Sequence, residues 1–192
     1  MTVDYWEIIA VRAIEYFKFM IIFMSGYPGS GKSFILDLLD KNIKEELYII
    51  SPKDILPDVD GEEEKREAML AAWETSLECL WSEIHKNKNK DIIIYDTCCS
   101  SYNAMREYFI RAKKCGHCVV YVFVNADLDK CIEKSGIDEG IFQKYKDNFS
   151  DNIPKFVELS DKQIVINNDH KGEPGISKLV ETIKDGVHES AQ

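Results

Sequence analysis

Eight consecutive residues, Gly26-Tyr27-Pro28-Gly29-Ser30-Gly31-Lys32-Ser33, constrain this chain more than any other stretch, and they fit the pattern G-x-x-x-x-G-K-[ST] in full. An apolar run over about 18–24 precedes them and reads as a buried strand. After them, from near Lys32, Phe34, Ile35, Leu38 and Leu39 recur at helical spacing and are expected on the inner face of a helix. Glycines let the chain take positive φ, so that successive N–H groups turn inward as a nest for anionic oxygens. The positive end of the following helix adds to that field. In such a loop Lys32 reaches the β- and γ-phosphates of a nucleoside triphosphate, and the Ser33 hydroxyl ligates Mg²⁺. The whole stretch is thus the expected cradle of a purine triphosphate, ATP with Mg²⁺. It specifies the triphosphate and leaves its use open, because switches, motors and small-molecule kinases all carry this loop.

The rest of the chain alternates strands with helices. A helix is expected over 4–16, strands over 46–51, 91–95, 119–124 and 163–167, and helices over 62–86, 102–114 and 174–188, with shorter helical pieces in 127–158. The segment 62–86 places Met69, Leu70, Trp73, Leu77, Leu80, Trp81 and Ile84 at helical spacing, and 86–90 reads as a solvated turn. Near-continuous apolar strands separated by helices imply a parallel sheet covered on both faces. The functional loops then lie at the C-terminal ends of the strands. With 192 residues the chain has the length of one such domain, residues 1–192, with an N-terminal helix within 1–17 and a lid-like helical segment over 127–158.

Composition narrows the partners. The formal net charge is −10, which disfavours tight, non-specific binding of long nucleic acid, where Lys and Arg must neutralise phosphates. No export signal is visible, and the apolar run 17–24 is far shorter than the ~20 residues that span a bilayer. Six irregularly spaced cysteines then imply reduced thiols and a cytoplasmic protein.

Two carboxylates stand at strand ends. Asp96 closes the strand Ile92-Ile93-Ile94-Tyr95, where a carboxylate orients Mg²⁺ or its water. An Asp there also serves often as a helix cap, but the phosphate loop upstream favours the metal role. Asp54 lies just past the second strand in Ser51-Pro52-Lys53-Asp54. It is placed either as a general base facing the γ-phosphate from the acceptor side or as a solvated loop carboxylate.

These segments together resemble the polynucleotide-kinase-like branch of the P-loop kinases, which includes the zeta-toxin group. The resemblance rests on the phosphate loop in its G-x-P-G-[SA]-G-K-S form and on Tyr48-Ile49-Ile50-Ser51 leading to Asp54. It rests further on Asp96-Thr97, then Arg106, Ala112-Lys113 and Gly116, with Cys131 four residues beyond Asp127. It spans about 26–131. The resemblance implies that Lys32 and Ser33 serve ATP and Mg²⁺, that Asp54 is the acceptor-side base, that Asp96 helps hold the metal or the acceptor, and that Arg106 supports the cofactor site. Two departures stand out. Asp96 is followed directly by Thr97, where the family usually has an intervening Asn, and nothing after Arg111 is Arg, where the family's lid usually offers one. Lys130, Lys134, Lys144 or Lys146 would have to substitute, as point charges rather than bidentate forks.

Other features invite a different chemistry. Cys115-Gly116-His117-Cys118 is spelled like a thioredoxin-type redox site, but it follows an expected helix C-terminus, whose dipole opposes thiolate formation. Zinc binding would need two further ligands, and Cys98 and Cys99 are adjacent and badly spaced. Trp73 and Trp81 read as core rather than as a base-stacking platform. The acidic run 58–64 reads as a solvated helix start. The resulting expectation is a three-layer α/β P-loop NTPase fold with a five-stranded parallel sheet in the order 2-3-1-4-5. Its activity would be transfer of the γ-phosphate of ATP to a hydroxyl of a nucleic acid (5′ or modified base) or a nucleoside or nucleotide. A sugar or metabolite kinase and an NTP-hydrolysing regulatory protein stand as alternatives. The second is weakened by the lack of a guanine-reading N-K-x-D element, since Asn167-Asn168-Asp169-His170 has no Lys.

Overall fold

The computed structural model describes residues 19–43, 47–86, 92–168 and 173–190. The helix expected over 4–16 and most of the turn expected over 86–90 lie outside these residues. Five strands form one sheet: β1 (Met20–Gly26), β2 (Leu47–Ile50), β3 (Ile92–Asp96), β4 (Cys118–Asn125) and β5 (Lys162–Asn167). Seven helices accompany them among the described residues: α1 (Lys32–Asn42), α2 (Pro52–Ile55), α3 (Glu62–His85), α4 (Tyr102–Lys114), α5 (Leu128–Ser135), α6 (Glu139–Leu159) and α7 (Glu173–Ser190). The strands run in the order β2-β3-β1-β4-β5, and every pair is parallel, as the alternation of elements implies.

Burial explains this arrangement. Alternate residues of β1 point to opposite faces and find separate cores. Phe19, Ile21 and Phe23 pack with Ile93, Tyr95, Val119 and Tyr121 beneath α3, α4 and α6. On the other face Met20, Ile22 and Met24 meet Ile35 and Leu39 of α1 and Leu179 and Ile183 of α7. The first core is aromatic. Phe23 stacks on Phe109 with ring centroids 3.8 Å apart, and Phe109 and Tyr121 both pack against Phe156. Each such side chain contributes roughly 1.5–3 kcal/mol by leaving water, so this layer is a main source of stability. Glycine ends α4 as expected: Gly116, at φ 82°, takes the left-handed conformation that closes a helix before β4.

Some side chains depart from the sequence expectation. On α1 the buried stripe is Ile35, Leu36 and Leu39, and Phe34 is half exposed, because the inward face is rotated by about one residue from that expected. On α3, Met69 and Leu70 are exposed. A helix of 24 residues is about 36 Å long. The neighbouring strand β2 has only four residues, about 13 Å, so the first turns of α3 overshoot the sheet. Trp73 packs against the core, but Trp81 is 42% exposed and is not core. It meets Tyr108 edge-on and lies under the Arg111 guanidinium. The segment 127–158 is not a set of short pieces: α6 is one helix of 21 residues that continues through Pro154. Asp138 starts it, accepting bonds from the N–H groups of Gly140 and Ile141.

Candidate phosphate site

The strand register brings the candidate residues to one edge of the sheet. β1 aligns Met24 with Asp96 of β3 and Gly26 with Val124 of β4, so the phosphate loop leaves the sheet between two strand ends. Gly26, Gly29 and Gly31 have φ of 151°, 78° and 92°. Contacts also exclude side chains there: a Cβ at Gly26 would lie 2.6 Å from the Val124 carbonyl, and one at Gly29 2.5 Å from that of Cys131. The loop is therefore pressed against β4 and α5, and within it the Ser30 N–H donates to the Tyr27 carbonyl at 3.1 Å. Tyr27 holds it from beneath, its ring stacked on Phe142 and set edge-on to Phe149 of α6. Pro28 is half-buried beside it. Tyr27 thus contributes an anchor through its side chain, and only backbone to any ligand.

Lys32 is buried, and its Nζ donates to the carbonyls of Gly26 at 2.9 Å and Tyr27 at 3.2 Å. The ammonium is held within the loop it would serve. Ser33 is exposed at the start of α1, and its Oγ accepts a bond from Lys53 Nζ at 3.3 Å. Ser30 is buried, and its Oγ has no hydrogen-bond partner among the described residues.

Asp96 is only 4% exposed. Its Oδ2 accepts a bond from Ser51 Oγ at 3.4 Å, and its Oδ1 is buried with no partner. Burial raises its pKa above the usual carboxylate value, against the opposing pull of the Lys32 and Lys53 charges and the Ser51 bond. Asp54 adds to the rise, which sets the two carboxylates within electrostatic reach. Asp54 itself is exposed on α2, a single turn started by Ser51 and Pro52. The Asp96 carboxylate oxygen at the end of β3, buried without a donor among the described residues, and the exposed Ser33 hydroxyl at the start of α1 are a donor set that suits a hydrated Mg²⁺, which keeps waters and takes few protein oxygens. Among the described residues no cluster of three or more His, Cys, Asp or Glu side chains offers a different metal site.

The far side of the loop opens into a cavity of about 150 Å³ lined by Gly29, Ser30, Ala126, Lys130, Cys131, Lys134 and Asn168. Of the four lid lysines considered from sequence, this brings Lys130 and Lys134 of α5 to the loop. Lys144 and Lys146 are exposed on α6 and do not line the cavity. Arg106 is exposed one turn into α4, and among the described residues no hydrogen bond or ion pair joins it to the phosphate loop. Cys115 caps the C-terminus of α4 and Cys118 opens β4, so the dipole at that cysteine pair is the unfavourable one. Sequence reasoning did not single out Ser51, Lys53 or Asn168. The first two were signalled by their places beside Asp54; nothing local signalled Asn168.

A family model described as an AAA domain, AAA_33, matches residues 21–136, which hold the phosphate loop, Asp54, Asp96, Arg106 and both cavity lysines. The chain belongs to that family. A comparison with curated protein sequences finds no match. Among solved structures, shikimate kinase from Acinetobacter baumannii, in complex with shikimate, has a TM-score of 0.57 at 16% identity and covers 91% of this chain and 97% of its own. Kti12 from Chaetomium thermophilum, in complex with ADP-AlF3, has a TM-score of 0.59 at 15% identity and covers 87% and 98%. The PezAT toxin-antitoxin structure from Streptococcus pneumoniae has a TM-score of 0.59 at 11% identity and covers 98% and 99%. Identities this low establish the fold, which is that of the P-loop kinases. Among the described residues no helix is long and apolar enough to cross a membrane.

Proposed function

We propose that this protein is an ATP- and Mg²⁺-dependent kinase of the polynucleotide-kinase-like branch, transferring the γ-phosphate to a hydroxyl of a nucleic acid, nucleoside or nucleotide. The observation that carries this reading is Asp96: buried, with Oδ1 unpartnered, and acted on electrostatically by Lys32, Lys53 and Asp54. A hydrolytic switch shares the triphosphate cradle and the metal-orienting carboxylate and adds a group that positions water. A transferase needs instead a carboxylate that orients an acceptor hydroxyl, and Asp54 on α2 is the residue proposed for that role.

In this mechanism the backbone N–H groups of 26–33 hold the β- and γ-phosphates, and Lys32 Nζ exchanges its two carbonyl partners for phosphate oxygens. Mg²⁺ would be held by Ser33 Oγ with Asp96 orienting its waters, and when bound it supplies charge neutralisation at the phosphates. Asp54 orients the acceptor hydroxyl and takes its proton as the bond to phosphorus forms. Lys130 and Lys134 supply the positive charge that an arginine-bearing lid would bring, with less geometric control. Catalysis is then chiefly positioning and electrostatic stabilisation.

The exposed acids Asp58, Asp60, Glu63 and Glu64, just beyond Asp54, favour a second reading in which the acceptor is a small metabolite, because they repel a polyanion. Incubation with γ-labelled ATP and a panel of 5′-hydroxyl oligonucleotides, nucleosides and sugars separates these. Label on an oligonucleotide or nucleoside supports the main reading and label on a sugar the second. Label released only to water overturns the kinase assignment.

A further inference from the structure

Lys53 stands on the acceptor-side turn, yet its Nζ donates to Ser33 Oγ, the hydroxyl assigned to Mg²⁺ in the proposed function, at 3.3 Å. Its charge also acts on Asp96, the other group assigned to the metal in the proposed function, in the same sense as that of Lys32. An ammonium has donors and no lone pair, so it satisfies an oxygen in the manner of a cation and has nothing to offer a metal ion. A divalent ion and an ammonium on one hydroxyl repel each other, and at this exposed position water weakens that repulsion without removing it. Lys32 does not occupy this place, being held on the carbonyls of Gly26 and Tyr27.

We propose that Lys53 is a tethered cation that fills the metal position of the nucleotide-free protein and swings aside when nucleotide brings Mg²⁺ in. The inference rests on the metal reading above. Its long flexible stem and exposed position give it room to move without disturbing the core. Three consequences follow. The free protein binds divalent ions poorly, because an incoming ion must first displace a built-in charge. With nucleotide present, the phosphates attract both cations and the penalty falls, so metal and nucleotide enter together. The departing ammonium remains on the turn that carries Asp54, so loading of the donor side changes the charge facing the acceptor.

Mn²⁺ shares the oxygen preference of Mg²⁺ and is read directly by electron paramagnetic resonance. It is titrated into the nucleotide-free wild-type protein, Lys53→Met and Lys53→Arg, with melting curves to confirm that each is folded. Lys53→Met is expected to bind Mn²⁺ about tenfold or more tightly than wild type, and Lys53→Arg to bind as weakly as wild type. With ADP present the difference between wild type and Lys53→Met should shrink. Equal affinities in the nucleotide-free wild type and Lys53→Met, with tight binding once ADP is added, overturn the role of Lys53 and leave the metal site standing. Absence of Mn²⁺ binding in every variant even with ADP overturns both.

Discussion

Asn168, the residue that follows β5, donates its side-chain amide to the carbonyl of Ser30 at 2.8 Å, tying the end of the last strand to the middle of the phosphate loop. The same amide lies where a Cβ on Gly31 would go. The loop is thus braced from outside as well as bent by its glycines. Asn168→Ala removes a single bond between partly buried groups, worth about 1 kcal/mol. ADP affinity by calorimetry is expected to fall a few-fold, and the melting temperature by roughly 2–4 °C. Gly31→Ala meets both the φ of 92° and the Asn168 side chain, and should destabilise the fold by roughly 1–3 kcal/mol. In the double variant only the part due to the collision should return, which a double-mutant cycle measures.

Lys32→Ala should lower phosphoryl transfer by about 100-fold or more, on the scale of losing one preorganised donor to the transition state. Its bonds in the free protein go to two loop carbonyls, so the fold should survive, as judged by circular dichroism. Full activity in this variant would end the kinase reading.

Asp54 is exposed, so Asp54→Asn should change stability by less than about 0.5 kcal/mol. Nucleotide binding is expected to persist while transfer to any acceptor is lost. Unchanged turnover would remove Asp54 from the chemistry.

Asp96 carries a stability penalty that its proposed place beside the metal would explain. Its pKa is raised in the folded protein, chiefly by burial, so the folded state holds the proton more firmly than the unfolded chain. Between the unfolded and folded values stability therefore falls as pH rises, and at neutral pH the ionised carboxylate is destabilising. Asp96→Asn should raise the stability of the nucleotide-free protein at pH 7 by about 1 kcal/mol, or roughly 2–4 °C in Tm. The advantage should shrink as pH drops through the carboxyl titration, and activity should be lost throughout. Melting curves across pH test both parts, and an equal gain at all pH values would rule out the electrostatic cause.

Among the lid lysines the expectation is asymmetric. Lys130→Ala and Lys134→Ala should each weaken ATP binding or slow transfer several-fold, since both side chains line the cavity beside Gly29 and Ser30. Lys144→Ala and Lys146→Ala, on exposed positions of α6, should stay near wild type. Steady-state kinetics on the four variants would show the contrast.

The fold was largely legible in the sequence because its signals are local. Apolar strands buried on both faces, such as Ile92–Asp96, read as continuous runs, and Gly116 marks a helix end by itself. Side-chain direction was harder. Phe34 and Trp81 sit within correctly placed helices yet point outward, Trp81 between the buried Leu80 and Ile84, because a small rotation of the covered face is invisible to periodicity. Arg106 was drawn in by resemblance, and its exposed place on α4 shows no bond to the loop among the described residues.

The loop from Gly26 to Ser33 illustrates the division. Its glycine spacing, set between a strand and a helix, determined from the sequence alone that the loop would bend through positive φ at Gly26, Gly29 and Gly31, since backbone conformation there follows from adjacent residues. Only the tertiary structure decided what surrounds that loop: Asn168 bracing Ser30, Lys53 on Ser33, and Lys130 and Lys134 beyond Gly29. Those neighbours come from elements far apart in the chain, brought together by burial of two apolar sheet faces. Packing, rather than any local pattern, sets which polar side chains are left facing the loop.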